Sequence, residues 1–176
     1  MRRPAIAALL AVLAIALVAA GCGGAAGLGG DDTRQVQPEG DRPPAPAVSA
    51  PALDGGPDLT LASRGGRPVI LNFWASWCEP CQRETPALVA FSKANPGLDV
   101  VGLAVNDRLG DSRRFAARLK IPYDLGADRD ADVASRFGVQ GLPVTVIIDA
   151  DGRIADTFVG EITRAQLDGY AAQLLP

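Results

Sequence analysis

Histidine is absent from this chain of 176 residues. That excludes Ser-His-Asp hydrolases, Cys-His proteases and every His-ligated metal site. Cysteine is scarce: Cys22, Cys78 and Cys81 are the only three, too few for a four-thiolate zinc site. Positive charge is not in excess either. Seventeen Lys and Arg face 20 Asp and Glu, a net −3 that falls to −5 if Arg2 and Arg3 leave with a leader. A mildly acidic chain has no general electrostatic attraction for nucleic acid or anionic lipid. Lysine is nearly missing, at two of the 17 basic residues; with abundant Ala, Gly and Pro, this fits a GC-rich bacterial genome and carries no mechanism. The apolar run over residues 5–20 is 16 residues long, short of the about 20 needed to span a bilayer. No internal repeat is found.

That run follows Met1-Arg2-Arg3 and reads as an export signal over residues 1–21. It ends in Ala19-Ala20-Gly21-Cys22, which resembles a bacterial lipobox: small residues ahead of a cysteine that is lipidated and becomes the mature N-terminus. Ala19 stands where Leu is preferred, with Leu17-Val18 just upstream. The alternative is an ordinary secretory signal with Cys22 a bystander. Either route takes the protein out of the cytoplasm, where disulfide chemistry is permitted. Residues 22–45 are Gly-rich and then Pro-rich, and read as a flexible tether. Residues 46–176 are enough for one domain with a real core.

Within that domain, residues 48–53 and 58–61 read as two short strands around the turn Asp54-Gly55-Gly56. Val69 to Trp74 is a near-continuous apolar strand, as expected in a sheet covered on both faces. A helix starts at Cys78 or just after it and runs to about Ala94, with Pro86 inside it. Asp99 to Val105 is the next strand. Asp111 is expected to cap a helix through Leu119, and Asp130 a short one ending near Gly138. Residues 144–149 and 153–159 form a hairpin around Ala-Asp-Gly, and Thr163 caps a last helix. The alternation predicts an α/β domain with a mixed sheet. Asp128, Asp130 and Asp132 imitate a calcium loop, but Val133 and Val139 occupy the positions that need Gly and Glu.

Trp77-Cys78-Glu79-Pro80-Cys81 follows the buried strand and opens the helix. A helix N-terminus offers free amide hydrogens and partial positive charge to its first cysteine, which favours thiolate. Moving a thiol from about 8.5 to about 6.5 is worth roughly 2.7 kcal/mol. The dipole supplies about 1 kcal/mol, so loop amides must add the rest. Cys81, one turn deeper, can attack a mixed disulfide, and Pro80 suits the first helical turn. A zinc site lacks two ligands, a structural disulfide here closes too short a loop to stabilise much, and a peroxidase cysteine needs a different surround. A copper chaperone with CxxxC and a distant His is excluded by the spacing.

Asn72-Phe-Trp-Ala-Ser-Trp-Cys-Glu-Pro-Cys81 with Arg83-Glu84-Thr85-Pro86 resembles the active-site block of the thioredoxin superfamily, in particular its extracytoplasmic TlpA/ResA-type thiol–disulfide oxidoreductases. The resemblance continues through residues 138–149, Gly138-Val-Gln-Gly-Leu-Pro-Val-Thr-Val-Ile-Ile-Asp149, and takes in the front hairpin and the Asp151-Gly152 turn. It implies a thioredoxin-like fold: a mixed central β-sheet flanked by helices, with an added N-terminal hairpin. It implies that Cys78 attacks, that Cys81 resolves, and that Pro143 is the cis-proline beside which Leu142 pairs with an extended substrate. Trp77 shields the pair or is simply an exposed apolar residue. Asn72 stands where cytoplasmic thioredoxins carry a buried Asp, and an amide is no base. Glu84 matches a carboxylate near the pair in the ResA-like branch; its alternative is a solvated helix residue. Glu79 reads as a surface residue that shapes the local field. The implied activity is disulfide exchange with protein thiols, apocytochrome c awaiting haem among them, with electrons drawn from a membrane thiol reductant. Oxidation of secreted thiols and a non-catalytic lipoprotein binding module are the alternatives. No metal or organic cofactor is expected, and neither is nucleic acid. The expected protein is a monomer, held at the membrane by a lipid on Cys22.

Overall fold

The computed structural model describes residues 34–175. The expected leader and Cys22 lie outside the described residues. A small hairpin comes first, β1 (Ser49–Ala50) antiparallel to β2 (Leu59–Thr60). Then follow β3 (Val69–Trp74), α1 (Glu79–Ala94), β4 (Asp99–Val105), α2 (Leu109–Leu119), β5 (Asp124–Asp128), α3 (Asp132–Arg136), β6 (Val144–Ile148), β7 (Ile154–Val159) and α4 (Arg164–Leu174). The five-stranded sheet runs β5-β4-β3-β6-β7. β4 lies parallel to β3 and β5, while β6 is antiparallel to β3 and β7. This is a thioredoxin-like α/β fold with a mixed central sheet.

β3 is the central strand, and all six of its residues are buried. Successive side chains point to opposite faces, so one strand feeds two cores. Ile70 joins Val100 and Ile147 beneath Leu88 and Phe91 of α1 and Leu167 and Tyr170 of α4. Leu71 and Phe73 join Val101, Leu103 and Val146 against α3 and the hairpin residues Ala50 and Leu59. Full burial of a Phe such as Phe73 stabilises by roughly 2–3 kcal/mol. Trp74 ends the strand stacked on Phe115 of α2, with ring centroids 4.7 Å apart. Gly102 makes room for that indole: a Cβ there would stand 2.8 Å from Trp74 Nε1 and 2.6 Å from Leu125 Cδ2.

Several local expectations are corrected. The hairpin strands shrink to two residues each, because the chain at Pro51–Leu53 leaves its partner and pairs with β5 instead: Leu53 N–H donates to Leu125 O and Ala127 N–H to Pro51 O. β5 itself escapes a pattern search, since Asp-Leu-Gly-Ala-Asp has little β-propensity. α2 begins at Leu109, and Asp111 is not its cap; its carboxylate pairs with Arg114, while Asp107 accepts from Arg108 N–H and Ser112 Oγ. Asp130 does not cap α3. Asp128 does that work, accepting Val133 N–H at 3.1 Å and Ala134 N–H at 2.8 Å. Thr163 caps α4 through a capping box with Gln166, as the sequence suggests.

Residues 34–45, tether by composition, lie along the domain. Gln37 N–H donates to Ala155 O, and Ala45 N–H donates to Gly152 O. Arg42 is buried in an ion pair with Asp149 at 3.0 Å. Arg34 pairs with Asp156, which also accepts Tyr170 Oη at 2.6 Å. Among the described residues no helix is long and apolar enough to cross a membrane.

Candidate active site

β3 delivers the chain to Trp74, and a short turn hands it to α1. Cys78 is the N-cap of that helix: its sulfur accepts Cys81 N–H at 3.3 Å, and Pro80 occupies the first turn. Cys78 and Cys81 are joined in a disulfide, S–S 2.03 Å. Cys78 is 5% exposed and Cys81 0%, so an incoming sulfur can reach the pair only at Cys78. Both pack with Trp74, Ala75 and Phe115 in one buried cluster, against which Leu142 also rests.

The turn before Cys78 is pinned by Asp107, a residue that sequence reasoning missed. Its Oδ2 accepts Ser76 N–H at 2.7 Å, and its Oδ1 accepts Ser76 Oγ at 2.9 Å. With Arg108 N–H and Ser112 Oγ, the buried carboxylate has four donors. The available signal was an acidic residue at the C-terminal end of an apolar strand beside the active-site strand. Trp77 is 63% exposed, and its Nε1 donates to Asn106 O at 3.3 Å. The indole therefore stands at the rim rather than in the core. Glu79 is exposed and pairs with Arg83.

The Leu142–Pro143 peptide is cis. β6 begins only at Val144, so the Leu142 peptide lies outside the sheet ladder. Gly160 N–H holds the loop through Pro143 O at 3.0 Å. The Leu142–Pro143 loop and the segment that carries Trp77 and the disulfide thus come from two separate stretches of chain and meet at the C-terminal end of β3.

Glu84 is 2% exposed, not solvated. Its Oε1 accepts Asn72 Nδ2 at 2.8 Å, and its Oε2 accepts Ile162 N–H at 2.9 Å. Asn72 also donates to Thr145 Oγ1 at 3.1 Å. Burial raises the Glu84 pKa from 4.5 to about 7; the two hydrogen bonds oppose that rise, and nearby Glu161 adds to it. Burial and the Glu84 charge also push the Tyr123 phenol above its ordinary value. A carboxyl raised to about 7 exists in both protonation states near neutral pH, and Glu84 lies one helical turn beyond Cys81 on α1. Among the described residues, no group of three or more acidic or thiol side chains is placed to hold a metal ion.

The Redoxin family model matches residues 38–174. The chain is 36% identical over 120 residues to a thiol:disulfide interchange protein DsbE of Pseudomonas fluorescens biotype C, covering 68% of this chain and 66% of that one. It is 28% identical over 123 residues to the thiol-disulfide oxidoreductase ResA of Bacillus thuringiensis strain Al Hakam, covering 69% and 71%. The structure of a secreted thiol-disulfide isomerase from Corynebacterium glutamicum superposes with a TM-score of 0.73 at 26% identity, over 82% of this chain and 93% of that one.

Proposed function

The chain belongs to the Redoxin family and is a thiol–disulfide oxidoreductase of the thioredoxin superfamily; from that premise we propose that it exchanges disulfides with protein cysteines outside the cytoplasm, tethered to a membrane through a lipid on Cys22. The observation that carries the reading is the Cys78–Cys81 disulfide at the N-terminus of α1, with only Cys78 reachable. In the reduced protein the Cys78 thiolate attacks a substrate disulfide. A bond forms from Cys78 Sγ to one substrate sulfur, and the other substrate sulfur leaves as a thiolate. Cys81 then attacks Cys78 Sγ, restores the internal disulfide and releases the second thiol. Two electrons pass from the protein to the substrate, and no metal or organic cofactor takes part. The oxidising direction is the same path reversed.

Each neighbour has a role in that path. The α1 N-terminus stabilises negative charge on Cys78. Leu142, beside cis-Pro143, offers its peptide groups to an extended substrate, and Trp77 covers the bond being exchanged. Glu84 accepts the Cys81 proton during resolution. It does so alone, since Asn72 can only donate to it. Apocytochrome c, whose cysteines must be reduced before haem attachment, is the substrate we favour, with electrons supplied by a membrane thiol reductant.

The test is reduction of insulin disulfides by dithiothreitol, followed by turbidity. The wild type should accelerate it, and Cys78→Ser should leave the uncatalysed rate. Equal rates with and without wild-type protein would remove the catalytic reading.

A further inference from the structure

Beside the redox pair lies a groove of about 370 Å3 that none of these steps uses. It runs from Trp77 past Asn106 to the exposed side of α2, and its walls carry three guanidinium groups, Arg108, Arg114 and Arg118. All three residues are exposed. Two carboxylates share the groove and offset part of that charge, leaving three guanidinium groups against two carboxylates, a net +1. Asp107 is already occupied by four donors. Asp111 pairs with Arg114 and stands 3.7 Å from Arg108. Arg118 has no carboxylate partner among the described residues; its guanidinium lies over the Phe115 ring at 5.5 Å. Phe115 lines the groove and also packs in the cluster that holds Cys78 and Cys81, so the groove floor is continuous with the wall of the active site. Near the start of α1, the exposed Glu79 and Glu161 share one cation, Arg83. The surroundings of the redox pair are therefore polarised: a positive groove beside Trp77, and a surplus carboxylate around Arg83.

We propose that this groove binds an acidic segment of the substrate polypeptide a few residues from the cysteine under attack, and so selects among substrates. The proposal rests on the oxidoreductase reading above and names its substrate class. Guanidinium forks bind carboxylates with two parallel hydrogen bonds, and Arg stacks on aromatic faces as Arg118 does here. Trp77 links the two sites, since it lines the groove and directly precedes Cys78. A chain that pairs with Leu142 and presents its sulfur to Cys78 would continue across the indole into the arginines. The chain as a whole is acidic, at −3, so the groove attracts anions against the overall field and acts at short range.

The experiment uses the reduced full-length protein and three cyclic peptide disulfides that differ only in the residues flanking one cysteine: Glu, Gln or Lys. Rates of peptide reduction are followed by stopped-flow tryptophan fluorescence at low and high salt. The Glu peptide should react about tenfold faster than the Lys peptide at low salt, and the ratio should fall toward one as salt is raised. Arg108→Gln with Arg114→Gln and Arg118→Gln should bring the Glu peptide down to the rate of the Gln peptide. Arg118→Gln alone breaks no ion pair and should cut the preference about twofold to threefold. Equal rates for all three peptides, or a preference that survives the triple substitution, overturns the proposal while the oxidoreductase reading stands. Equal peptide rates with loss of binding to phosphatidylglycerol vesicles in the triple variant would likewise overturn it, and reassign the groove to lipid headgroups. Failure of the wild type to reduce even the Gln peptide overturns the oxidoreductase reading, and this proposal with it.

Discussion

Replacing Glu84 by Gln tests the chemistry of the buried carboxyl without touching a sulfur. The Glu84 pKa rises from 4.5 to about 7 on folding, mainly through burial. A raised pKa means that the folded state binds more protons than the unfolded chain between those two values. Its contribution to stability is therefore fully present below about pH 4.5 and is lost as the pH rises through about 7. The difference of 2.5 units corresponds to about 3 kcal/mol. At 2% exposure there is little solvent to screen it. Gln cannot ionise, so this slope should vanish in the variant. Gln also presents one amide group where Glu84 offers two acceptors to Asn72 Nδ2 and Ile162 N–H. That mismatch costs about 1–2 kcal/mol at every pH, and it shifts the curve without bending it. The assay is urea unfolding of the oxidised protein from pH 4.5 to 8.5 at fixed ionic strength. All other groups titrate alike in both proteins, so the difference curve isolates Glu84. It should climb in favour of the variant by about 3 kcal/mol across that range. A flat difference curve would refute the reasoning, since Glu84 would then ionise as freely in the fold as in the unfolded chain. In the reduced protein, the same substitution should alter the pH profile of disulfide reduction between about pH 5 and 8. Superimposable profiles would remove Glu84 from the proton path.

Three further outcomes are expected. Cys81→Ser should accumulate mixed disulfides with substrate proteins and Cys78→Ser should accumulate none, read by non-reducing electrophoresis; faster alkylation of Cys81 than of Cys78 in the reduced protein would reverse the two roles. Mass spectrometry of the mature protein should find two or three acyl chains on an N-terminal Cys22, and Cys22→Ala should abolish them and release the protein from membranes; a soluble mature chain beginning elsewhere contradicts the anchor. Gly102→Ala should destabilise by about 1–3 kcal/mol and shift the Trp74 fluorescence, because the new methyl meets the indole at 2.8 Å; an unchanged Tm would show that the ring is free to move.

The redox pair was legible because its spacing sits between an apolar strand and a helix start, and those two neighbours are themselves strong local signals. β3 and β4 were legible for the same reason: central strands buried on both faces carry runs of apolar residues. β5 was not, since its pairing is supplied by β4 on one side and by residues 51–53 on the other rather than by its own side chains. The helix starts of α2 and α3 escape a cap search because α2 has no side-chain cap and because Asp128, which accepts the first N–H groups of α3, lies upstream of the cap position and reaches forward across a turn. The docking of residues 34–45 was hidden because main-chain bonds and one buried Arg42–Asp149 pair hold a Pro-rich stretch that has no pattern of its own. Glu84 came from resemblance alone. Its partners Asn72 and Ile162 meet it only in three dimensions, and Thr145 in turn holds Asn72.

The central claim is that Cys78 and Cys81 exchange electrons with thiols in the folded protein. Its most direct test is redox equilibration of the native protein against graded dithiothreitol or glutathione buffers, quenched by acid and alkylated, with the two cysteines counted by mass spectrometry. The account predicts a single reversible two-electron transition, approached from either side to the same midpoint, with each tenfold change in the buffer ratio equal to about 30 mV. The midpoint then states whether the protein reduces or oxidises its partners. A disulfide that remains closed in excess dithiothreitol until the protein is unfolded would contradict the claim.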